Sequence, residues 1–159
     1  MENIKVFQHI LVPIDFGRAS DHALTIAMQL GKVLKARLTL LHVVQIPLMT
    51  GPDTGIGVAQ YLDDMQLQAR QSLAQYAQRV QASGLDCETT IELASPFQHI
   101  VDYAATQQVD LIVMGTHGHT GLQHMLLGSV AERVVRLAPC PVLVTQGLKE
   151  DKAPVEDKA

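Results

Sequence analysis

Residues 10–44 read ILVPIDFGRASDHALTIAMQLGKVLKARLTLLHVV, and the fold is decided within them. Ile10-Leu11-Val12-Pro13-Ile14 is an unbroken apolar run stopped by Asp15, the pattern of a strand buried on both faces of a parallel sheet. After Gly17 the period changes. Ala23, Ile26, Ala27, Leu30, Val33 and Leu34 recur three or four apart, with Ser20 placed as an N-cap and Asp21 near the positive end of the helix. From Arg37 to Val44 the composition turns β-like again. Two such strands around an amphipathic helix imply a parallel pair, because the connection must cross a face of the sheet.

Outward from this unit the alternation continues. Gln45 to Gly57 holds two prolines and three glycines, too many breakers for a regular element, so it reads as an exposed loop able to act as a lid. Leu62, Met65, Ala69, Leu73, Tyr76 and Val80 form a helical stripe that stops near Ser83-Gly84, where Gly84 can take a left-handed conformation. A third strand follows from Cys87 to Leu93. Ser95-Pro96 opens a third helix, with Phe97, Ile100, Val101 and Ala104 on its buried face. Asp110 to Met114 is a fourth apolar strand, then come a glycine-rich loop, a helix from Ser129 to Leu137 and a last strand from Pro141 to Thr145. The expected class is α/β, a doubly wound parallel sheet with helices on both faces. One domain spans 1–147, and the charged tail 148–159 carries too little apolar content to order itself.

Composition narrows the functions. With 159 residues, 47% hydrophobic and 18% charged, the chain can bury one sizeable core. A net charge of -4 with scattered Lys and Arg gives no footprint for nucleic acid. Two cysteines, Cys87 and Cys140, lack metal-knuckle spacing and suit a reducing compartment, with Cys140 expected as an inert buried thiol. Neither a secretion signal nor an apolar run of about 18 residues is visible, so a soluble cytoplasmic protein with no membrane partner is expected.

Ligands of open α/β sheets bind outside the carboxyl ends of the strands, where the winding reverses. Those ends carry Pro13-Ile14-Asp15, His42-Val43 and Gly115-Thr116-His117-Gly118-His119-Thr120-Gly121, with Gly128-Ser129 opening the next helix. Glycine backbone can approach an anion closely, and the helix end adds its dipole, so phosphate is the natural ligand. Neither a Walker lysine nor a Gly-x-Gly-x-x-Gly turn is present. Asp15 could simply cap or brace the turn after the first strand, although a carboxylate at the end of a central strand in this fold is more often at a site, and Ser129 with Glu132 forms a capping box that needs no ligand. His117, His119 and His124 crowd the loop without a Cys or carboxylate at ligand spacing, which disfavours zinc. His42 is expected to pack or hydrogen-bond beneath the site.

Gly115, Gly118, Gly128 and Ser129 match the spacing Gly, two residues, Gly, nine residues, Gly, Ser or Thr. With Val12-Pro13-Ile14-Asp15, Leu41-His42-Val43 and Pro139-Cys140-Pro141-Val142-Leu143-Val144, this resembles the ATP-binding branch of the universal stress protein family over roughly residues 8–146. The resemblance implies an open five-stranded parallel sheet in the order 3-2-1-4-5, Rossmann-like and similar to the adenine nucleotide alpha-hydrolases. It implies that Asp15 and the Val43 backbone hold adenine, with Pro13 and Ile14 nearby, and that Met114 and Gly115 pass beneath the ribose. Gly118, Gly128, Ser129 and Val130 would hold the phosphates, accompanied by Mg2+ or Mn2+. It further implies a homodimer through the last strand, where Val142, Leu143 and Val144 carry no charge to blunt an edge. The chain departs from the family at Gly17, commonly serine, and at His119, commonly Arg or Lys, which makes phosphate affinity depend on imidazole protonation.

Three functions follow for weighing: a regulatory ATP-binding dimer of the stress response, a slow ATPase or autophosphorylating enzyme using Ser129 or Thr116, and an interaction module without nucleotide. No Arg or Lys is fixed in the motif to stabilise a transferring phosphoryl group, which favours the first over the second.

Overall fold

The computed structural model describes residues 7–46, 55–117 and 127–147. They form β1 (His9–Pro13), α1 (Arg18–Leu34), β2 (Arg37–Val44), α2 (Gly55–Ala82), β3 (Cys87–Leu93), α3 (Pro96–Thr106), β4 (Leu111–Gly115), α4 (Ser129–Leu137) and β5 (Val142–Thr145). The sheet runs β3-β2-β1-β4-β5 with every pairing parallel, as the sequence led one to expect. The expected lid lies largely outside the described residues, as does the tail, and α2 begins at Gly55, inside the stretch read as loop.

Alternation along the central strands explains their unbroken apolar runs. Ile10 and Val12 of β1, Leu38 and Leu40 of β2, and Leu111 and Val113 of β4 join Ala23, Leu24 and Ala27 of α1 and Leu73, Ala77 and Val80 of α2. Leu11, Leu41, Ile112 and Met114 point the other way, onto Ile100 and Ala104 of α3 and Ala131 and Val134 of α4. Each strand thus feeds two cores, and period-2 geometry demands apolar residues at every position. Fully burying a Leu or Val is worth about 1.5–3 kcal/mol, so these strands bind the two helical layers together.

Helix ends depart from the sequence reading in three places. Gly17, not Ser20, is the N-cap of α1, and Ser20 lies within the first turn, where its hydroxyl reaches Asp15 instead. Ser95 caps α3 only through its carbonyl, which accepts the His99 amide at 3.0 Å, and makes no side-chain cap bond. Gly128 caps α4, so the expected Ser129–Glu132 capping box is absent and Glu132 accepts a bond from Arg136 at 2.8 Å. Two burial expectations also fail. Val33 is 81% exposed, and Cys140 is only half-buried. Gly84 does adopt φ 87 after α2.

At the amino ends of the strands, polar groups are satisfied internally. His9, 4% exposed, pairs its Nε2 with Thr39 Oγ1 at 2.8 Å, and Arg37 donates to its Nδ1 at 3.1 Å. An arginine only donates, so Nδ1 accepts and the proton sits on Nε2. The Asp110 carboxylate accepts the amides of Gln8 and His9 at 3.0 and 3.1 Å, and the Asp110 amide donates to the His9 carbonyl at 2.9 Å.

Burial, reinforced by the Arg37 charge, pushes the His9 imidazole below its ordinary value of 6.5. Below that value the unfolded chain takes up a proton that the native protein refuses, so the stability His9 contributes is full above it and is lost as pH falls. Urea midpoints measured from about pH 7.5 down to about pH 5 should therefore drop more steeply for the wild type than for His9→Gln. Parallel pH profiles would show that His9 is not coupled to folding.

Candidate functional site

The winding reverses between β1 and β4, since the chain leaves β1 toward β2 on one side and reaches β4 and β5 on the other. The carboxyl ends of these strands bring together Pro13, Ile14 and Asp15, then Val43, then Met114 and Gly115, and the start of α4 at Gly128, Ser129 and Val130. Gly118 and His119 lie outside the described residues.

The turn after β1 is held from within. Asp15 Oδ1 accepts the Gly17 amide at 2.8 Å and the Ser20 hydroxyl at 2.8 Å, and the same hydroxyl oxygen accepts the Asp15 amide at 3.3 Å. Asp15 therefore does brace its turn, the alternative weighed for it above. Phe16, next in the chain, has φ 63, and its ring tilts against His42 with centroids 4.6 Å apart. His42 Nδ1 donates to the Ile14 carbonyl at 2.6 Å, which matches its expected place beneath the site.

On β2, the Leu41 carbonyl accepts the Ile14 amide at 2.8 Å, the last rung to β1. Residues two apart on a strand point their backbone groups the same way. The Val43 N–H and C=O therefore face the space beyond the end of β1, and no described residue bonds them there.

On the β4 side, a Cβ added to Gly115 would stand 2.7 Å from both the carbonyl carbon and the Cβ of Ala19, so glycine lets α1 press onto the strand end. The Gly128 amide donates to the Thr116 carbonyl at 2.6 Å, and a Cβ on Gly128 would lie 2.7 Å from that same oxygen. The two described flanks of the 118–126 segment are thus pinned together. Thr116 is buried and its hydroxyl bonds His117 Nδ1 at 2.8 Å.

The first helical bond of α4 runs from the Glu132 amide to the Gly128 carbonyl at 2.9 Å. The amides of Ser129, Val130 and Ala131 consequently have no acceptor within the helix, and no side chain of the described residues caps them. Among the described residues, these three donors and the positive end of the helix dipole are open to an anion. The sequence reading stopped at Val130 and did not name Ala131, whose amide the rule of unsatisfied first-turn amides also supplies, and the N–H of Gly128, among the backbone groups it gave to the phosphates, is engaged by the Thr116 carbonyl. Among the described residues no three His, Cys, Asp or Glu side chains converge on a metal position.

Cavities of about 550 Å3 also lie at the opposite end of the sheet, one lined by Lys32, Lys35 and Arg37, the other by His9, Arg37 and Asp110. The first borders the ends of α1 and α2, whose carbonyls oppose an anion, and the second is lined by groups already bonded to one another.

Fold and site together define a doubly wound α/β protein with open backbone donors at its topological switch point. The model of the universal stress protein family matches residues 7–146, and the chain belongs to that family. It is 32% identical to universal stress protein YxiE of Bacillus subtilis, over 89% of this chain and 100% of the relative. The solved structure of universal stress protein UspA from Lactobacillus plantarum superposes with TM-score 0.81 at 32% identity, over 87% of this chain and 97% of that one. More distant structures share the fold: a universal stress protein in complex with cAMP, at 23% identity and TM-score 0.70 over 91% and 100% of the two chains. Another, from Archaeoglobus fulgidus in complex with dAMP, has 20% identity and TM-score 0.66 over 88% and 98%.

Gly115→Ala drives a methyl against the Ala19 backbone, which cannot yield as a side-chain tip can. It should destabilise the protein by about 1–3 kcal/mol in chemical denaturation. A loss under about 0.5 kcal/mol, the range of an ordinary surface change, would mean that α1 is free to retreat.

Proposed function

We propose that this protein is an ATP-binding regulatory protein of the stress response, acting in the cytoplasm as a nucleotide-dependent homodimer. The observation that carries the reading is the set of unpaired backbone groups at one edge: Val43 N–H and C=O on one side, and the Ser129, Val130 and Ala131 amides on the other. A donor beside an acceptor suits the Watson–Crick edge of a base, and helix-end amides suit phosphates. In this reading Asp15 approaches the ribose and adenine, Pro13 and Ile14 flank the base, and Met114 and Gly115 underlie the sugar. Gly118, His119 and Gly128 complete the phosphate loop. Solved relatives in complex with cAMP and dAMP support a nucleotide of the adenine type.

Mg2+ or Mn2+ fits this donor set only through the nucleotide. The described residues at the phosphate end offer the exposed Ser129 hydroxyl and no carboxylate cluster, so the phosphates themselves would supply most ligands. The buried Cys87 thiol suits a reducing compartment. No helix among the described residues is long and apolar enough to cross a membrane. Against an autophosphorylating enzyme using Thr116, that hydroxyl is buried and already bonded.

Thermal or chemical unfolding with and without ATP and magnesium tests the reading. Ligand at about 100 times its dissociation constant should add about 2.7 kcal/mol, and a protein indifferent to ATP leaves only the interaction-module reading standing.

The dimer is proposed through β5, which pairs only with β4 and exposes Leu143 to 38%, beside exposed Val135 and Leu137 on α4. Leu143→Lys places a charge on that edge and should shift sedimentation from dimer to monomer at micromolar concentration. A wild type that sediments as a monomer, or a variant that stays dimeric, rules this interface out.

A further inference from the structure

The next step rests on the nucleotide reading and concerns how its base end is kept open. Along β2, alternate residues aim their backbone at β1: the Arg37 amide donates to the Gln8 carbonyl at 2.9 Å and the Leu41 carbonyl accepts the Ile14 amide at 2.8 Å. Thr39 and Val43 share that direction. If β1 ran on, the following rung would carry the Val43 N–H to the Ile14 carbonyl. That carbonyl is already occupied from the side, by His42 Nδ1 at 2.6 Å. A carbonyl only accepts, so Nδ1 carries the hydrogen.

The imidazole is itself held in place. Phe16 lies against it with centroids 4.6 Å apart, and Tyr76 of α2 meets Phe16 edge-on at 5.7 Å. Tyr76 in turn lies under the Arg79 guanidinium, 5.4 Å from the ring centroid, and Arg79 pairs with Asp21 of α1 at 2.7 Å. Phe16 sits at φ 63, a backbone conformation that bulky side chains rarely adopt. Its ring contacts His42 and Tyr76, and the Gly17 amide on Asp15 Oδ1 spans the same residue. The Ile14–Gly17 turn is consequently fixed from one side by Asp15 and from the other by this aromatic stack.

We infer that His42, held by Phe16, is a positioning residue for the nucleobase: its bond draws the Ile14 carbonyl toward the imidazole and off the line of the ladder, so the β1–β2 ladder stops one rung early and the Val43 N–H and C=O, without a partner among the described residues, are left for an adenine edge. Adenine presents an acceptor beside an exocyclic donor, which complements that pair, whereas guanine sets its own N–H against the Val43 N–H.

Hydrogen exchange at the Val43 amide, followed by NMR, tests the ladder without any ligand. In the wild type this amide exchanges as an unbonded group. In His42→Leu the released Ile14 carbonyl captures it, slowing exchange by about tenfold or more. Unchanged exchange in a folded His42→Leu protein overturns the inference.

Binding supplies the second measurement. His42→Leu should weaken ATP by about tenfold while inorganic tripolyphosphate, which engages only the helix end, binds as in the wild type. His42→Gln, whose amide can still donate to Ile14, should recover most of the ATP affinity. Equal losses for ATP and tripolyphosphate, or undiminished ATP binding in His42→Leu, overturn the positioning role. A wild type that binds no ATP instead sinks the nucleotide reading, and the exchange measurement then decides by itself whether His42 stops the ladder.

Discussion

The last rung between β1 and β2, the Ile14 amide on the Leu41 carbonyl, is the bond on which the carboxyl edge depends. Up to that point β1 pairs with β2 residue by residue, from His9 on Arg37 to Pro13 on Leu41, as burial in a sheet covered on both faces favours. Beyond it the chain must turn toward α1, and the groups of β2 that pointed at β1 lose their partners. A parallel sheet with its winding reversed at β1 and β4 concentrates such losses in one place, because the two connections leave in opposite directions. The proposed nucleotide occupies the position where the sheet runs out of its own partners.

The opposite edge makes the contrast. There His9, Thr39, Arg37 and Asp110 satisfy one another and the backbone of Gln8 and His9. The side chains of His9, Thr39 and Asp110 at that end are engaged with one another or with the backbone. At the carboxyl edge the side chains act differently. Asp15 and Ser20 tie up the turn, His42 takes one carbonyl, and the donors of Val43 and of the first turn of α4 stay open.

Element positions and the parallel, doubly covered sheet were legible because alternation in buried strands leaves so little freedom, whereas the strand order came with the family resemblance. The runs at Ile10–Ile14 and Asp110–Met114 can sit only in a sheet with two covered faces, and the stripe of Ala69, Leu73 and Val80 can bury only one side of α2. Helix caps were less legible because a hydroxyl chooses among neighbours that sequence does not place. Ser20 has good cap chemistry, yet it lies inside the first turn of α1, where its hydroxyl makes a charge-assisted bond to the Asp15 carboxylate at 2.8 Å. Ser129 likewise lost the cap to Gly128, whose lack of a Cβ permits the 2.6 Å bond to Thr116 that a serine there would obstruct.

The candidate site was legible in its glycines but not in the reason for them. Read as a spacing, Gly115, Gly118, Gly128 and Ser129 suggest that each glycine yields to a phosphate. In the structure Gly115 yields to Ala19 of α1, and Gly128 yields to the Thr116 carbonyl. These two glycines serve the protein's own packing, and they bring α1, β4 and α4 close enough for the free amides of Ser129 to Ala131 to stand beside the strand ends. A motif of this kind can therefore be kept by the fold even where a ligand asks nothing of a particular glycine. What separates a binding edge from a merely tight one is the count of donors left over after the packing is done, and here that remainder lies in the first turn of α4 and at Val43.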